Sequence, residues 1–578
     1  MTSCLRTVLT AILATGAAGA SYCQSPLAIP DTLAGPVYSL TVQQGSKTFF
    51  PGHVTPTFGY NGDLLGPTLF MNQGDSVTLN VTNQLPVSTT VHWHGLHVAA
   101  INDGGPHQEI PPGSTWSPAF KVRNPAGTYW YHPHGAGKTE LQVTRGLAGM
   151  IFLRDSAEAS YTLPRHYGVD DFPLVLQTKA FDLDYRFAIA THEDSVPMVN
   201  GTIDPFLHVP RQVVRFRLVN GSADRSYLVG LADDRSFALI ASDGGLLAQP
   251  HQMNRFRISP GERGEILVDF SAYSVGDSID LVSFSSELPR GMIGADTVGM
   301  DTILMGEGYT SNPLNGADFR LLRLHVAPPT GNPVTTVPAA FAPLPTYDTS
   351  GVNVHRSIHF SADTLRFGIT AQVDGPFSMN QQPFDMDSIN FRIPLNSKEI
   401  WTLTNSTWVA HPFHIHDVPF FILDKNGNPP PPQEAGWKDV VVVMPGSTVR
   451  FITKFETFAD DVVPYMYHCH LLHHEDDGMM GQFLVLNPPA QVAEAEAADE
   501  FVLYPNPTPG RVRLSSRHPG HAFRDYALRD AAGRLLLTGP LPMEGFIDLA
   551  GFPPGIYHLI VRGARGDAAA RVVKLPPN

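Results

Sequence analysis

The chain has 578 residues, enough for about three to four domains of ordinary size, each able to bury a core of its own. Its formal net charge of -15 comes without any basic run, which argues against nucleic acid as a partner and against electrostatic adhesion to an anionic membrane. Glycine and proline number 51 each while long helical apolar periodicity is missing, the signature of an all-β protein with many turns.

Residues 1–20 read as a secretory signal peptide: a short n-region with Arg6, an apolar stretch over 8–20, and the small-residue ending Ala18-Gly19-Ala20. The stretch is too short and dilute for a membrane anchor, and no other segment is long enough to span a bilayer. Paired arginines are absent, so the general secretory route is expected. Of the cysteines Cys4, Cys23 and Cys469, the first leaves with the signal and the second lies beside the cleavage point. Cys23-Gln24 could mimic a lipoprotein signal, but Tyr22 fits that signal badly. An exported chain with one remaining internal cysteine is not stapled by disulfides.

A first β block, 30–157, has strand-like runs at 77–81 and 150–153. It carries His92 and His94 in VHWHG, then His132 and His134 in YWYHPHG. A second block, 160–327, has runs at 213–218 and 264–270. Its histidines 166, 192, 208, 251 and 325 lack ligand spacing and are expected to be structural. The Pro, Ala and Thr-rich stretch 327–349 reads as a linker. A third block, 350–488, holds His411, His414 and His416 in AHPFHIH and the run His468-Cys469-His470, followed by His474 and Met479. An acidic, alanine-rich linker at 489–500 precedes a separate small β module, 501–578.

The His-Cys-His run carries the most chemistry. Extended backbone alternates faces, so Cys469 points one way while His468 and His470 point the other. A lone thiolate with a nearby imidazole and thioether is the ligand set of a blue-copper electron-transfer site, and its two neighbours are free to bind metal behind it. The three other pairs share the His-x-His spacing, which on a strand places both imidazoles on one face. His411 has the opposite parity to His414, as Cys469 has to its neighbours, although Pro412 weakens that inference. With 24 histidines about one such pair is expected by chance. There are four. Two come from the first block and two from the third, so an eight-histidine cluster has to form where these blocks meet. The middle block is expected to hold the outer two in register and to carry no copper.

These motifs, HWHG, HPH, HPFHIH and HCHLLHHEDDGMM, resemble the four copper motifs of three-domain multicopper oxidases over about residues 30–488. Flanking text such as DGGPHQEIPPG, GLAGMIFL, PMVNG and GWKDVVVV is most similar to the bacterial group of copper-efflux oxidases, spore-coat laccases and bilirubin oxidases. The resemblance implies three cupredoxin-like Greek-key β-sandwich domains and four coppers per chain. A type 1 copper would be held by His411, Cys469, His474 and axial Met479, a type 2 copper by His92 and His414, and a type 3 pair by His94, His132, His134, His416, His468 and His470. It further implies one-electron oxidation of a small-molecule reducing substrate coupled to reduction of O2 to water. Glu475 and Asp103 match carboxylates that relay protons, though Glu475 could instead fix its neighbouring ligand and Asp103 could form a turn. Asp439 could orient a ligand histidine.

The resemblance leaves the substrate open. The soft ligands needed to hold cuprous ion are largely missing before HPFH and over 322–400, where only Met379 and Met386 occur. Met292, Met300 and Met305 form a loose cluster whose expected role is packing. Laccase-like oxidation of phenols or similar donors is therefore expected, with cuprous-ion or other metal oxidation as the alternative and a copper-binding or scaffold protein as a second. In the terminal module Tyr504-Pro505-Asn506-Pro507, Gly555-Ile556-Tyr557 and Val572-Val573-Lys574-Leu575 resemble the sorting domain read by type IX secretion machinery, which implies a secreted or cell-surface protein that passes through the periplasm.

Overall fold

The computed structural model describes residues 24–576 apart from 190, 299–308, 310, 345–347, 353, 363–374, 488–500, 518–522, 531–532, 543 and 564–565. The signal peptide with Cys4, the neighbouring Cys23, the 489–500 linker, Met300 and Met305 lie outside the described residues. The chain divides into two compact units, Met1–Leu484 and Val485–Asn578.

The larger unit contains six sheets, two for each block. Strand Ser76–Asn83 shows why the first block folds as a sandwich: Val77, Leu79 and Val81 alternate inward while the residues between them are more exposed. The middle block differs. Its strand Val213–Asn220 is buried throughout, in a seven-stranded sheet covered on both faces. Arg215 and Arg217 of that strand are matched inside by Glu158, Glu265 and Asp171, as buried charges must be. The 327–349 stretch is tied to the middle sandwich, with the Val213 N–H donating to the Val334 carbonyl at 2.8 Å and Phe341 buried against Ile240 and Leu267. Ahead of the first block, Ser25–Pro26 pairs in parallel with Pro205 and Phe206, so the earliest described strand belongs to the middle block.

Two strand pairs position the functional histidines. In the first block His92–His94 runs antiparallel to Gly127–His132, with His92 opposite His132. In the third, His411–Ile415 runs antiparallel to Tyr465–Cys469, with His414 opposite His468. Pro412 does not interrupt its strand, and its carbonyl accepts the His470 N–H at 2.7 Å. Among the described residues no helix is long and apolar enough to cross a membrane.

The smaller unit has a three-stranded and a four-stranded sheet around Val512, Leu528, Leu559 and Val572. The Asn506 side chain accepts from the Val573 N–H and donates to the Arg571 carbonyl, and strand Gly555–Gly563 pairs along its length with Gly566–Lys574. The three motifs singled out in the sequence are thus knit together in space.

Candidate metal centre

Cys469 ends its strand fully buried, and a short helix, Leu472–Asp476, begins three residues later and carries His474 back toward it. The thiol Sγ lies 3.4 Å from His411 Nδ1 and 3.7 Å from His474 Nδ1. Met479 is buried beside them, its carbonyl accepting the Cys469 N–H at 3.1 Å and its own N–H donating to the His474 carbonyl at 2.8 Å. Thr407 Oγ1 sits 2.7 Å from His411 Nε2, leaving Nδ1 toward the sulfur. Burial drives the thiol pKa well above its ordinary value and lowers that of His411 to about 3. The site therefore starts as a protonated thiol beside a neutral imidazole, and metal binding has to displace the thiol proton.

Behind Cys469 the eight remaining histidines converge. His134, His416 and His468 form one group whose ligand atoms lie within 4.8 Å of one another; His94, His132 and His470 form a second; His92 and His414, with His94, form a third. The pairs His132/His134, His414/His416 and His468/His470 are therefore each split between groups, while His92 and His94 share the third. Outer ring nitrogens find fixed partners: His92 Nδ1 the Asp103 carbonyl at 3.0 Å, His132 Nδ1 the Pro133 carbonyl at 2.8 Å, and His414 Nδ1 the Asp439 carbonyl at 2.8 Å. The inner Nε2 atoms of His92, His414 and His416 are buried with no hydrogen-bond partner. An unmade buried hydrogen bond costs about 1–3 kcal/mol, and a metal bound within these groups would satisfy all three atoms. Burial, reinforced by neighbouring imidazoles, lowers the pKa values of His94, His132, His414 and His416 far below ordinary and that of His470 to about 3, keeping them neutral and able to donate a lone pair.

Three multicopper oxidase family models match residues 41–158, 190–279 and 357–489, and a multicopper oxidase of Staphylococcus epidermidis is 33% identical over 460 residues, covering 78% of this chain and 88% of that protein. The chain belongs to the multicopper oxidase family. It is a copper-dependent oxidoreductase that uses O2, and its histidine clusters fit copper. Among solved structures it is similar to a laccase-like multicopper oxidase from the lignin-degrading bacterium Ochrobactrum sp., at 35% identity and a TM-score of 0.69, covering 80% of this chain and all of that one. The cell division protein FtsP of Sodalis glossinidius is 31% identical over 482 residues, covering 80% of this chain and 93% of that protein.

Three carboxylates of this oxidase, Asp103, Glu475 and Asp439, reach the histidine cluster. Asp103 Oδ2 is 2.7 Å from His416 Nδ1, while its Oδ1 is buried without a hydrogen-bond partner. Asp103 also closes the turn Ala100–Asn102, so the turn-forming and cluster-facing readings coexist. Glu475 faces His468 Nδ1 at 3.1 Å and His134 Nδ1 at 3.5 Å, two histidines of one group, rather than its sequence neighbour His474. Burial alone would raise its pKa, but the imidazoles of His134 and His468 outweigh it and hold the carboxyl below its usual range. Asp439 Oδ1 lies 3.2 Å from His94 Nε2, which turns His94 Nδ1 toward His132 and His470. The sequence reading missed Thr407, whose hydroxyl four residues before His411 carries no motif, and Gly261. At Gly261 φ is +82° and an added Cβ would lie 2.7 Å from His470 Cδ2.

Proposed function

We propose that this multicopper oxidase is laccase-like, taking electrons one at a time from phenolic or similar small donors. We assign His411, Cys469, His474 and Met479 to a type 1 copper, His92 and His414 to a type 2 copper, and His94, His132 and His470 with His134, His416 and His468 to a type 3 pair. Copper bound in these four positions supplies one-electron oxidation of the donor and four-electron reduction of O2 to two waters. The observation that carries the reading is the Cys469 thiol held between two imidazoles while the residues on either side of it belong to the two three-histidine groups. Two peptide units thus link the donor end to the oxygen end.

The remaining residues have proton and positioning roles. Glu475 presents an ionised carboxylate to one three-histidine group, and Asp103 has Oδ2 on His416 Nδ1 and Oδ1 3.5 Å from His92 Nδ1, so both carboxylates stand where a proton would pass to the cluster. The scarcity of methionines in the sequence just before His411 and over 322–400 favours organic donors over cuprous ion; among the described residues Met292 packs against Leu288, Ala295, Ala410 and Val442. Activity of the similar Ochrobactrum protein towards lignin model compounds and lignosulfonate points the same way. The small terminal module, whose three motifs interlock through Asn506 and the paired strands at 555–574, supports type IX sorting to the medium or cell surface after passage through the periplasm.

O2 uptake by the purified, copper-loaded chain, compared across a phenol, a synthetic one-electron dye and cuprous ion, tests the substrate. Uptake with the phenol and the dye is expected. Uptake with cuprous ion alone would assign the chain to metal oxidation, and bound copper without any uptake would assign it to copper binding.

A further inference from the structure

Among the described residues no candidate metal group takes a side chain from the middle block, yet one of its side chains touches all three blocks at the histidine cluster. Arg263 is fully buried, and every one of its five N–H donors is engaged. Nε reaches the Thr128 carbonyl of the first block at 3.3 Å. One terminal nitrogen donates to the Gly261 carbonyl at 3.1 Å and to Asp439 Oδ1; the other donates to the Asp243 carbonyl at 2.9 Å and to Asp439 Oδ2. Asp439, in the third block, meets His94 through its side chain and His414 through its carbonyl.

Arg263 is part of a chain of buried charges. Glu262 accepts from Lys438 Nζ at 2.8 Å, and Lys438 Nζ also lies 2.9 Å from Asp243 Oδ2. Asp243 Oδ1 accepts the Arg263 N–H at 2.8 Å. Three carboxylates thus face two cations, and Asp439 stands at the end of the chain, beside His94. There is no slack around it: a Cβ on Gly95, the residue after His94, would lie 2.5 Å from Asp439 Oδ2 and 2.6 Å from the Arg263 guanidinium.

We propose that Arg263 is a positioning residue for the oxygen-reducing cluster. Its fork fixes the Asp439 carboxylate, which holds His94 with Nδ1 inward, and the same fork sets the first block against the third so that His94 and His414 meet. The middle block would in this way control a centre to which none of its described residues gives a ligand. The inference rests on the ligand assignment proposed above.

The test compares Arg263→Gln and Arg263→Lys with Arg217→Gln, a control that removes an equally buried guanidinium whose partners, Asp171, Glu265 and Thr128, reach no histidine. Copper per chain under graded chelation, the blue thiolate absorption and the paramagnetic spectrum of type 2 copper are read on each holoprotein. Both Arg263 variants should keep the blue absorption and release cluster copper at about 10- to 100-fold lower chelator concentration, with an altered type 2 spectrum. Arg217→Gln should lower the melting temperature and leave cluster copper as in the parent. Parental retention of cluster copper by the Arg263 variants overturns the proposal, as does loss of blue and cluster copper in parallel. If Arg263→Gln fails to fold, Arg263→Lys decides, because it keeps the charge and loses only the fork. A parent chain that binds copper only at Cys469 fails the ligand assignment itself, before any variant is made.

Discussion

The Cys469 site and the eight-histidine cluster lie back to back but are built on different principles. The Cys469 site draws His411, Cys469, His474 and Met479 from one sandwich, and its geometry is set by one strand pair, one short helix and the Thr407 hydroxyl. The cluster takes His92, His94, His132 and His134 from the first block and the other four histidines from the third, so it forms only when the two dock. The first site is a local consequence of folding one domain. The second is a consequence of quaternary-like packing inside a single chain, so each should respond to different perturbations.

The largest expected effect is at the residue the two share. Cys469→Ser should abolish blue absorption and reduce turnover at least about a thousandfold, with stability altered by no more than about 1 kcal/mol; retained oxidase activity would falsify the assignment. Next, Glu475→Gln should leave the blue absorption intact and slow O2 reduction by about a hundredfold, as read by stopped-flow reoxidation of the reduced enzyme. Parental reoxidation kinetics would remove Glu475 from the proton path. Acid should then weaken both regions alike in the metal-free protein. His411 and His470 have folded pKa values lowered by burial to about 3, against about 6.5 unfolded. The unfolded chain therefore takes up protons that the folded one refuses. Stability should be full above about pH 6.5 and fall as pH drops toward 3, by about 1.4 kcal/mol per unit for each such imidazole. Calorimetry of the metal-free chain measures this, and a melting temperature unchanged down to pH 4.5 would contradict the burial. The smallest effect is Thr407→Val, which frees the outer nitrogen of His411: a change of up to about tenfold in donor kcat/KM is expected, with cluster copper undisturbed.

Much of this was legible in the sequence because period-two alternation is a hard geometric rule. His468 and His470 face the cluster while Cys469 faces His411, as the parity of the run requires, and His411 keeps its parity despite Pro412 because that residue still takes its place in the strand and offers a carbonyl to the His470 N–H. What the sequence hides is contact across distance. Arg263 sits 176 residues from Asp439 and Thr128 lies 135 residues before Arg263, and no spacing rule links them. Gly261 reads as an ordinary turn glycine until the His470 ring is seen against it. Glu475 directly follows His474 in sequence, but which histidines it faces depends on the turn of the helix Leu472–Asp476, which a five-residue stretch does not reveal.

The small strand Ser25–Pro26 has a consequence for the order in which the chain can mature. Its partner, Pro205–Pro210, arrives about 180 residues later, so a chain emerging N-terminus first cannot seat its leading segment until the first sandwich and the opening part of the middle one have been delivered. The first sandwich is bracketed by segments of another domain, and the bracket closes only late. Closure of such a long loop is slow compared with pairing inside a hairpin.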